Sequence, residues 1–505
     1  MFTQIGTRAR SLQRSKALRL LLLVALLATG IPFGGAWTTP TPKAQPILLA
    51  MAAQQPEATV AVVVQKTAQG ANPEALVARL GGQVVNHLPI INAFAAELPA
   101  EAVPALASTR GVRWVSLDAP VFEAGKPGPN TGPTPTPTPC TVCIDTSKLK
   151  NEYIRAIRAD QVWNTAPYLQ GQGIGVAVVD SGIGNHLDFQ NGAGVSRVIA
   201  QAKFDSRTDT MADKYGHGTH VSGIIGGNGQ ASGGQYIGVA PKVNLINVKI
   251  SDDSGASNMS DVINALQWVL DNRTTYNIRV VNLSLNSSVA EAYHTSPLSA
   301  AVEILWFNGI VVVVSAGNNG TATLYPPAND PFVITVGATN DMMSTSVSDD
   351  TLASFSAYGT TESGFAKPDL VAPGFKIKSV LAPDSALAKT DPGYVETTTS
   401  GVQYFKMSGT SMAAPMVSGA VALLLQDEPA LTPDQVKYRL MATTIKGRKQ
   451  FPAYNATTMG AGLLDVYAAV NGTTTASANT GVQASQLLWS GSEPVTWSSV
   501  SWNSV

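Results

Sequence analysis

FKMSGTSMAAPMVSGA, residues Phe405–Ala420, places a serine directly before a long apolar run. The residues after Ser411 stay largely apolar to Leu425, which predicts a buried helix that begins near this serine. Amides at a helix N-terminus are unpaired and the helix dipole adds partial positive charge there, so an oxyanion would be stabilised. A lone serine in this position is more often only a helix cap, so a catalytic interpretation of Ser411 requires partner residues.

Two further stretches supply those partners. GVAVVDSG, residues Gly175–Gly182, is a continuous apolar run typical of a buried parallel strand, and it places Asp180 at the strand end. YGHGTHVSG, residues Tyr215–Gly223, opens an apolar helix with His217. A serine hydroxyl needs a base to remove its proton, and imidazole suits neutral pH when a buried carboxylate orients it. Asp180, His217 and Ser411 therefore predict a catalytic triad.

These motifs resemble those of the subtilisin-like serine proteases (subtilases, peptidase family S8) over about residues 159–470. The motifs are, in chain order, VVDSGI at Val178–Ile183, HGTHVSG at His217–Gly223, SAGN at Ser315–Asn318 and GTSMAAP at Gly409–Pro415. The order Asp, His, Ser is that of subtilisins, whereas α/β-hydrolases have the order Ser, Asp, His. The resemblance implies a secreted serine endopeptidase that acts on polypeptides through an acyl-enzyme. The alternatives are a catalytically silent subtilase-like protein used for binding or surface adhesion, and a serine esterase of another fold.

The same resemblance assigns the rest of the site. It implies an oxyanion hole formed by the Asn318 side chain and the Ser411 backbone amide. It also implies that extended substrate binds two segments, which comprise Ser284, Leu285, Asn286, Ser315, Ala316 and Gly317. Asn286 and Leu324 stand where many relatives have glycine, so we expect a shallow first specificity pocket that favours small or medium apolar side chains.

The motifs of the family identify the catalytic residues more specifically than any metal ligand. Asp188 matches a calcium ligand of the family, but the loop Gly226–Gln235 lacks the usual calcium-loop pattern. We therefore expect no required cofactor, with calcium only as a structural ion. We expect structural roles for His220 and for Asp369, and surface positions for two other histidines, which are His186 and His294.

Length and patterning predict the fold class. The chain has 505 residues with 44% hydrophobic content, enough for a large core and more than one domain. Its 33 Lys and Arg balance 34 Asp and Glu, which argues against nucleic-acid binding. Short apolar runs alternate with amphipathic segments through residues 150–470, so we predict an α/β catalytic domain with a doubly wound parallel sheet. The functional site is then expected at the carboxyl edge of this sheet. We expect a monomer.

The residues before this domain have the character of precursor segments. Residues 1–36 combine basic residues, a short apolar run and small residues, typical of a secretory signal peptide; the alternative is a membrane anchor. Residues 58–123 have a βαββαβ pattern, which predicts a small ferredoxin-like α+β unit. This unit resembles the inhibitory, I9-like prodomain of secreted subtilases, and the alternative is an independent binding domain. Residues 124–139 form a Pro/Thr-rich linker, so we expect maturation cleavage between Val121 and Cys140.

Two features flank the catalytic domain. Cys140 and Cys143 are the only cysteines, and in an exported chain we favour a local disulfide over a metal site or a redox dithiol. Residues 471–505 are rich in Ser, Thr and Asn, which indicates a disordered tail. Trp489, Trp497 and Trp502 offer the alternative of a docking strand that retains the secreted protein at the cell surface.

Overall fold

The computed structural model describes residues 43–67, 72–123, 143–446 and 451–488. The predicted signal peptide and linker lie outside these residues, as do Trp489, Trp497 and Trp502. Within the described ranges no helix has both the length and the apolar character needed to cross a membrane. Cys143 is disulfide-bonded, whereas Cys140, the expected partner, lies outside the described residues.

The first part of the described chain, residues 43–123, is a small α+β unit that we call the N-terminal unit. Its helices are α1 (Pro46–Gln54), α2 (Pro73–Arg79) and α3 (Val103–Ser108). Its strands are β1 (Thr59–Lys66), β2 (Gln83–Leu88), β3 (Ala93–Pro99), β4 (Val112–Leu117) and β5 (Pro120–Glu123). The first four strands form an antiparallel sheet in the order β2-β3-β1-β4, with the βαββαβ succession predicted from the sequence. Helix α1 was not predicted, and because it buries Leu48 in the core of the unit, the unit begins well before residue 58.

The two faces of this sheet have different neighbours. Val62 and Val64 of β1 belong to the core beneath the helices of the unit, whereas Val63 between them belongs to the large core of the next domain. This alternation follows from the two-residue period of a strand. The N-terminal unit therefore uses one apolar face for its own core and the other for packing against the rest of the chain.

The larger domain has the predicted α/β architecture. Its helices are α4 (Tyr153–Ala156), α5 (Ala159–Asn164), α6 (His217–Gly226), α7 (Met259–Asn272), α8 (Pro297–Phe307), α9 (Ala386–Thr390), α10 (Thr410–Asp427), α11 (Pro433–Ala442), α12 (Ala456–Met459) and α13 (Val466–Val470). Its strands are β6 (Gly175–Asp180), β7 (Val198–Lys203), β8 (Asn244–Lys249), β9 (Ala256–Asn258), β10 (Ile278–Leu283), β11 (Leu285–Ser287), β12 (Val311–Ser315), β13 (Ile334–Asn340), β14 (Thr351–Leu352), β15 (Gly359–Thr360), β16 (Ala366–Lys367), β17 (Leu370–Pro373), β18 (Ile377–Val380), β19 (Val395–Thr397) and β20 (Gln403–Met407).

The main sheet has eight strands in the order β14-β13-β12-β10-β6-β8-β7, with β17 beside β13. All of its pairings are parallel except that of β14 with β13. Strands β6 and β12 are buried along their whole length, as expected where helices cover both faces of a parallel sheet. Helix α10 is buried from Thr410 to Leu425 and packs against β10, β12, β13 and β17.

The sheet places the predicted residues at one edge. Strand β6 ends at Asp180, β10 ends directly before Ser284, and β12 ends at Ser315. Because parallel strands have their carboxyl ends at the same edge, these residues lie together, with α6 and α10 beginning beside them. The structure thus brings the predicted site residues together at the carboxyl edge of the sheet.

The residues after α13 depart from expectation. The Ser/Thr-rich composition of residues 471–505 predicts disorder, but residues 471–488 pack against the protein, and Ala484, Leu487 and Leu488 are buried. The prediction of a disordered tail is therefore wrong for residues 471–488.

Candidate active site

The carboxylate and the imidazole form the first half of the site. His217 Nδ1 lies 2.8 Å from Asp180 Oδ1, and both side chains are 1% exposed. Asp180 Oδ1 also accepts a hydrogen bond from the Ser181 amide at 2.8 Å. An Nδ1–H donated to a carboxylate leaves Nε2 as the nitrogen that can accept a proton. This is the tautomer that a general base requires.

Glycine at position 218 permits this approach. A Cβ at Gly218 would lie 2.3 Å from the carbonyl oxygen of Gly182 and 2.9 Å from Asp180 Oδ1. No other residue type fits such a space without displacing the backbone. The glycine after His217 therefore allows the first turn of α6 to lie directly against the end of β6.

A second buried carboxylate fixes the start of α6. Asp213 accepts hydrogen bonds from the Ser181 hydroxyl, the Gly216 amide, and both the amide and the hydroxyl of Thr219, at 2.6–2.9 Å. Burial raises the pKa of Asp213, while these four donors favour its charged form. Asp213 thus caps the helix that carries His217 and ties it to the residue after Asp180. Asp213 was not predicted, because its only signal in the sequence is an acidic residue four positions before His217.

The serine occupies the first turn of α10. Ser411 is fully buried, and its hydroxyl donates to the carbonyl oxygen of Ser284 at 3.0 Å. In return, the Ser284 hydroxyl donates to the carbonyl oxygen of Ser411 at 3.0 Å. Helices α6 and α10 pack against each other and both begin at the carboxyl edge of the sheet, so the structure gathers all three predicted catalytic residues there.

The predicted oxyanion donor is held by Thr410. Asn318 Oδ1 accepts hydrogen bonds from the Thr410 amide and from the Thr410 hydroxyl, both at 2.9 Å. The Thr410 hydroxyl oxygen also accepts from the Gly317 amide at 3.1 Å. Because Asn318 Oδ1 accepts both of these hydrogen bonds from Thr410, the Nδ2 amide group of Asn318 is the group left to donate to an oxyanion. The Ser411 amide lies in the first turn of α10, where amides have no partner within the helix.

An extended segment of the chain already lies in the predicted substrate cleft. Strand β5 pairs antiparallel with β11 on one side and with β9 on the other. Its register places Glu123 opposite Leu285, Phe122 opposite Asn286 and Val121 opposite Ser287. Leu285 and Asn286, two of the residues predicted to bind substrate, thus pair with an extended segment of the chain itself. The second edge, β9, was missed because three residues carry no readable periodicity.

The predicted pocket between the two substrate segments is partly filled. Asn286 Nδ2 donates to the carbonyl oxygen of Ser315 at 2.9 Å, so this side chain spans from β11 to β12. A Cβ at Gly317 would lie 3.3 Å from Asn286 Oδ1, which places this side chain close to all of Ser315–Gly317. Leu324 is also buried. Asn286 therefore occupies volume that glycine would leave open.

His220 and Asp369 make the contacts of structural residues. His220 is buried and its Nε2 donates to the carbonyl oxygens of Ile377 (3.1 Å) and Phe405 (2.9 Å), and burial lowers the pKa of His220 to about 3. Asp369 is ion-paired with Lys367 and Lys437 at 2.8 and 3.0 Å. Both expectations of a structural role agree with these contacts.

His186 and His294, expected at the surface, are partly buried there rather than fully exposed. His186 Nδ1 accepts from the Asp188 amide at 3.2 Å, and His294 lies 3.4 Å from the Ser363 hydroxyl. Both side chains are half-buried, and burial lowers the pKa of each. Their burial could not be predicted from the sequence, because it comes from residues that are distant in the chain, such as Ser363 beside His294.

Asp188, which matches a calcium ligand of the family, has its carboxylate oxygens occupied by hydrogen-bond donors. Asp188 Oδ1 accepts from the Ala231 amide at 2.7 Å, and Oδ2 accepts from the Tyr404 hydroxyl at 2.6 Å. Calcium would have to displace both of these donors, since it binds oxygen lone pairs directly. Within the described residues there is no group of three or more His, Cys, Asp or Glu side chains that could hold a metal.

Comparison with known proteins agrees with this geometry. The model of the subtilase family, Peptidase_S8, matches residues 171–485. Serine protease AprX of Bacillus subtilis is 40% identical over 304 residues, which cover 59% of this chain and 67% of AprX. Subtilisin NAT of Bacillus subtilis subsp. natto is 31% identical over 405 residues, which cover 78% of this chain and 84% of that protein.

A solved structure is similar over much of the chain as well. The crystal structure of fervidolysin from Fervidobacterium pennivorans, described as a keratinolytic enzyme related to subtilisin, superposes with a TM-score of 0.60 at 25% sequence identity. The match covers 83% of this chain and 62% of the fervidolysin chain.

Proposed function

Because the chain belongs to the subtilase family of serine endopeptidases, we propose that Asp180, His217 and Ser411 are its catalytic triad. The observation that carries this assignment is the buried Asp180–His217 hydrogen bond at the edge where α10 presents Ser411. No cofactor is needed for this chemistry.

The reaction follows from the contacts at the site. The Ser411 oxygen attacks the peptide carbonyl carbon as its proton passes to His217 Nε2, and Asp180 stabilises the resulting imidazolium. Asn318 Nδ2 and the Ser411 amide donate to the oxyanion of the tetrahedral intermediate. His217 then gives its proton to the leaving amine, and water, activated by the same imidazole, hydrolyses the acyl-enzyme.

The N-terminal unit acts as an intramolecular inhibitor in this proposal. Its last strand, β5, occupies the edges β9 and β11 where an extended substrate would bind. A chain that fills its own cleft cannot bind another substrate until this segment leaves. We therefore propose that the protein is made as a zymogen and processed by its own active site.

The register of β5 suggests the bond that is cleaved. Glu123 pairs with Leu285, which is the last pairing within the described residues, and extending the antiparallel register by one residue in each strand would pair position 124 with Ser284. Ser284 is the residue whose carbonyl oxygen accepts the Ser411 hydroxyl. The proposed cleavage site is the bond from Ala124 to Gly125, within the interval expected from the sequence.

This site is also consistent with a proposed preference for small or medium apolar side chains before the scissile bond. Asn286 narrows the pocket by reaching from β11 to the carbonyl oxygen of Ser315, and alanine at position 124 is small. A peptide panel that varies this residue tests the preference, and fastest cleavage after Phe or Lys would overturn it. Secretion is proposed from residues 1–36 alone.

The nucleophile is tested by a fluorophosphonate probe followed by mass mapping. We expect one adduct, on Ser411, that is absent from Ser411→Ala and strongly reduced in His217→Ala. An unlabelled parent protein with native folding would contradict the catalytic assignment and favour a silent binding protein.

A further inference from the structure

The last described residues form a segment that links the two parts of the molecule. We call Gln483–Leu488 the C-terminal strap. Its attachment to the catalytic domain is through polar contacts: the Tyr293 hydroxyl donates to the Gln483 carbonyl oxygen (2.9 Å), and the Ser485 amide donates to Glu303 (2.7 Å). The Ser485 hydroxyl and the Gln486 amide both donate to the carbonyl oxygen of His294, at 3.0 and 3.1 Å. These bonds fix the course of the strap on the catalytic domain.

The strap also belongs to the apolar core. Ala484, Leu487 and Leu488 are at most 1% exposed. They lie in the same continuous apolar cluster as Ile90 and Ile91, which belong to the N-terminal unit. The side chains of an exposed, disordered tail would not be buried to this extent.

One side chain of the N-terminal unit reaches the strap directly. Gln65, near the end of β1, is 1% exposed, and its Nε2 donates both to the Ile91 carbonyl oxygen (3.0 Å) and to the Leu487 carbonyl oxygen. A buried amide is costly unless its hydrogens are bound, and these two carbonyls bind both of them. The strap therefore accepts one of the two amide hydrogens of a buried residue in the N-terminal unit.

We propose that the C-terminal strap is part of the docking surface for the N-terminal unit and slows release of that unit after cleavage. The inference rests on the proposed zymogen function, because release matters only if the unit inhibits the enzyme. The partner of the strap is the face of the unit formed by Gln65 and Ile91. When the unit leaves, Leu487 loses the donor to its carbonyl oxygen.

The test is a double-mutant cycle in the full chain. Gln65→Leu keeps the size of the side chain and removes the bond to Leu487, and Ser485→Ala loosens the strap by removing the hydroxyl that donates to His294. Gln83→Leu is the matched control, because Gln83 is an exposed glutamine on β2 of the same unit. All variants are made in a Ser411→Ala background, and the rate at which added trypsin degrades the N-terminal unit is measured.

Gln65→Leu removes the hydrogen bonds to both Ile91 and Leu487. We therefore expect it to accelerate degradation of the unit by at least about fivefold, the effect of losing one of these bonds, and we expect Gln83→Leu to leave the rate unchanged. The Gln65→Leu effect should shrink when Ser485→Ala is also present. Equal acceleration with and without Ser485→Ala would overturn the proposal, because Gln65 would then act only through Ile91 inside the unit. No acceleration by Gln65→Leu would overturn it as well.

The same variants with Ser411 intact separate this inference from the proposed function. We expect Gln65→Leu to shorten the interval between cleavage of the chain and the rise of peptidase activity, also by at least about fivefold. If the parent chain is never cleaved, the zymogen proposal fails, while the trypsin measurement still decides whether the strap holds the unit.

Discussion

Replacement of Gly218 by alanine tests how closely the geometry of the triad depends on one glycine. The added Cβ would lie 2.3 Å from the Gly182 carbonyl oxygen, 2.9 Å from Asp180 Oδ1 and 3.0 Å from the Gly182 amide nitrogen. Non-bonded carbon contacts are comfortable at about 3.5–4.0 Å, so the first turn of α6 must move from the end of β6 by about 1 Å. His217 begins this turn and moves with it.

The expected consequence falls on catalysis more than on binding. Misplacement of a catalytic group by about 1 Å lowers turnover about 100-fold. The substrate edges β9 and β11 are not part of α6, so KM should change little. Overpacking of this kind also destabilises the fold by about 1–3 kcal/mol.

The assay is the steady-state hydrolysis of a chromogenic peptide, with the N-terminal unit removed by a trace of parent enzyme. Thermal melting of the precursor measures the accompanying loss of stability. Gly393→Ala is the matched control, because no atom lies within 4 Å of the position its Cβ would take. A folded Gly218→Ala protein with a kcat within about threefold of the parent value would show that the triad tolerates this contact, because a misplacement of about 1 Å should lower turnover about 100-fold.

Three further predictions concern single side chains, two in the candidate active site and one, His220, in the core. Thr410→Val should lower kcat about tenfold, since Asn318 loses the bond from the Thr410 hydroxyl but keeps that from the amide, whereas Thr410→Ser should retain most activity. Asn286→Gly should open the first pocket, and a peptide panel should then show a larger gain for Phe than for Ala before the scissile bond. His220 should make the fold acid-sensitive: burial lowers its pKa to about 3, and the unfolded side chain protonates near 6.5, so stability falls as pH drops from about 6.5 towards 3. Urea unfolding of a Ser411→Ala precursor at several pH values should show this fall, by up to about 1.4 kcal/mol per pH unit, and His220→Asn should flatten it; an unchanged slope in that variant would contradict a neutral His220.

The triad could be predicted from sequence because each catalytic residue sits in a short motif whose chemistry is local. Asp180 ends a buried strand, His217 opens a helix, and Ser411 lies in the first turn of another helix. A parallel sheet places the carboxyl ends of its strands at one edge, so the positions of these three residues follow from the fold class. The fold class was predictable for the same reason, since continuous apolar strands alternate with helices.

The features that the sequence did not reveal depend on contacts between distant segments. Composition indicated a disordered tail, but a few buried residues such as Leu487 and several backbone hydrogen bonds hold residues 483–488 in place. Helix α1 was missed because the segment before residue 58 gave no clear boundary. Asp213 was missed as a positioning residue because its effect requires knowing which amides and hydroxyls it meets.

Ser411 is proposed to be the nucleophile of an enzyme that processes its own precursor. The most direct test of this proposal is expression of the full chain beside Ser411→Ala, with the intact mass and the casein hydrolysis of each product measured together. We predict that the parent loses the residues up to Ala124 and cleaves casein, while Ser411→Ala keeps the N-terminal unit and is inactive. If Ser411→Ala is folded and still processed in the absence of any other protease, or if the folded parent neither loses its N-terminal unit nor cleaves casein, the account is contradicted.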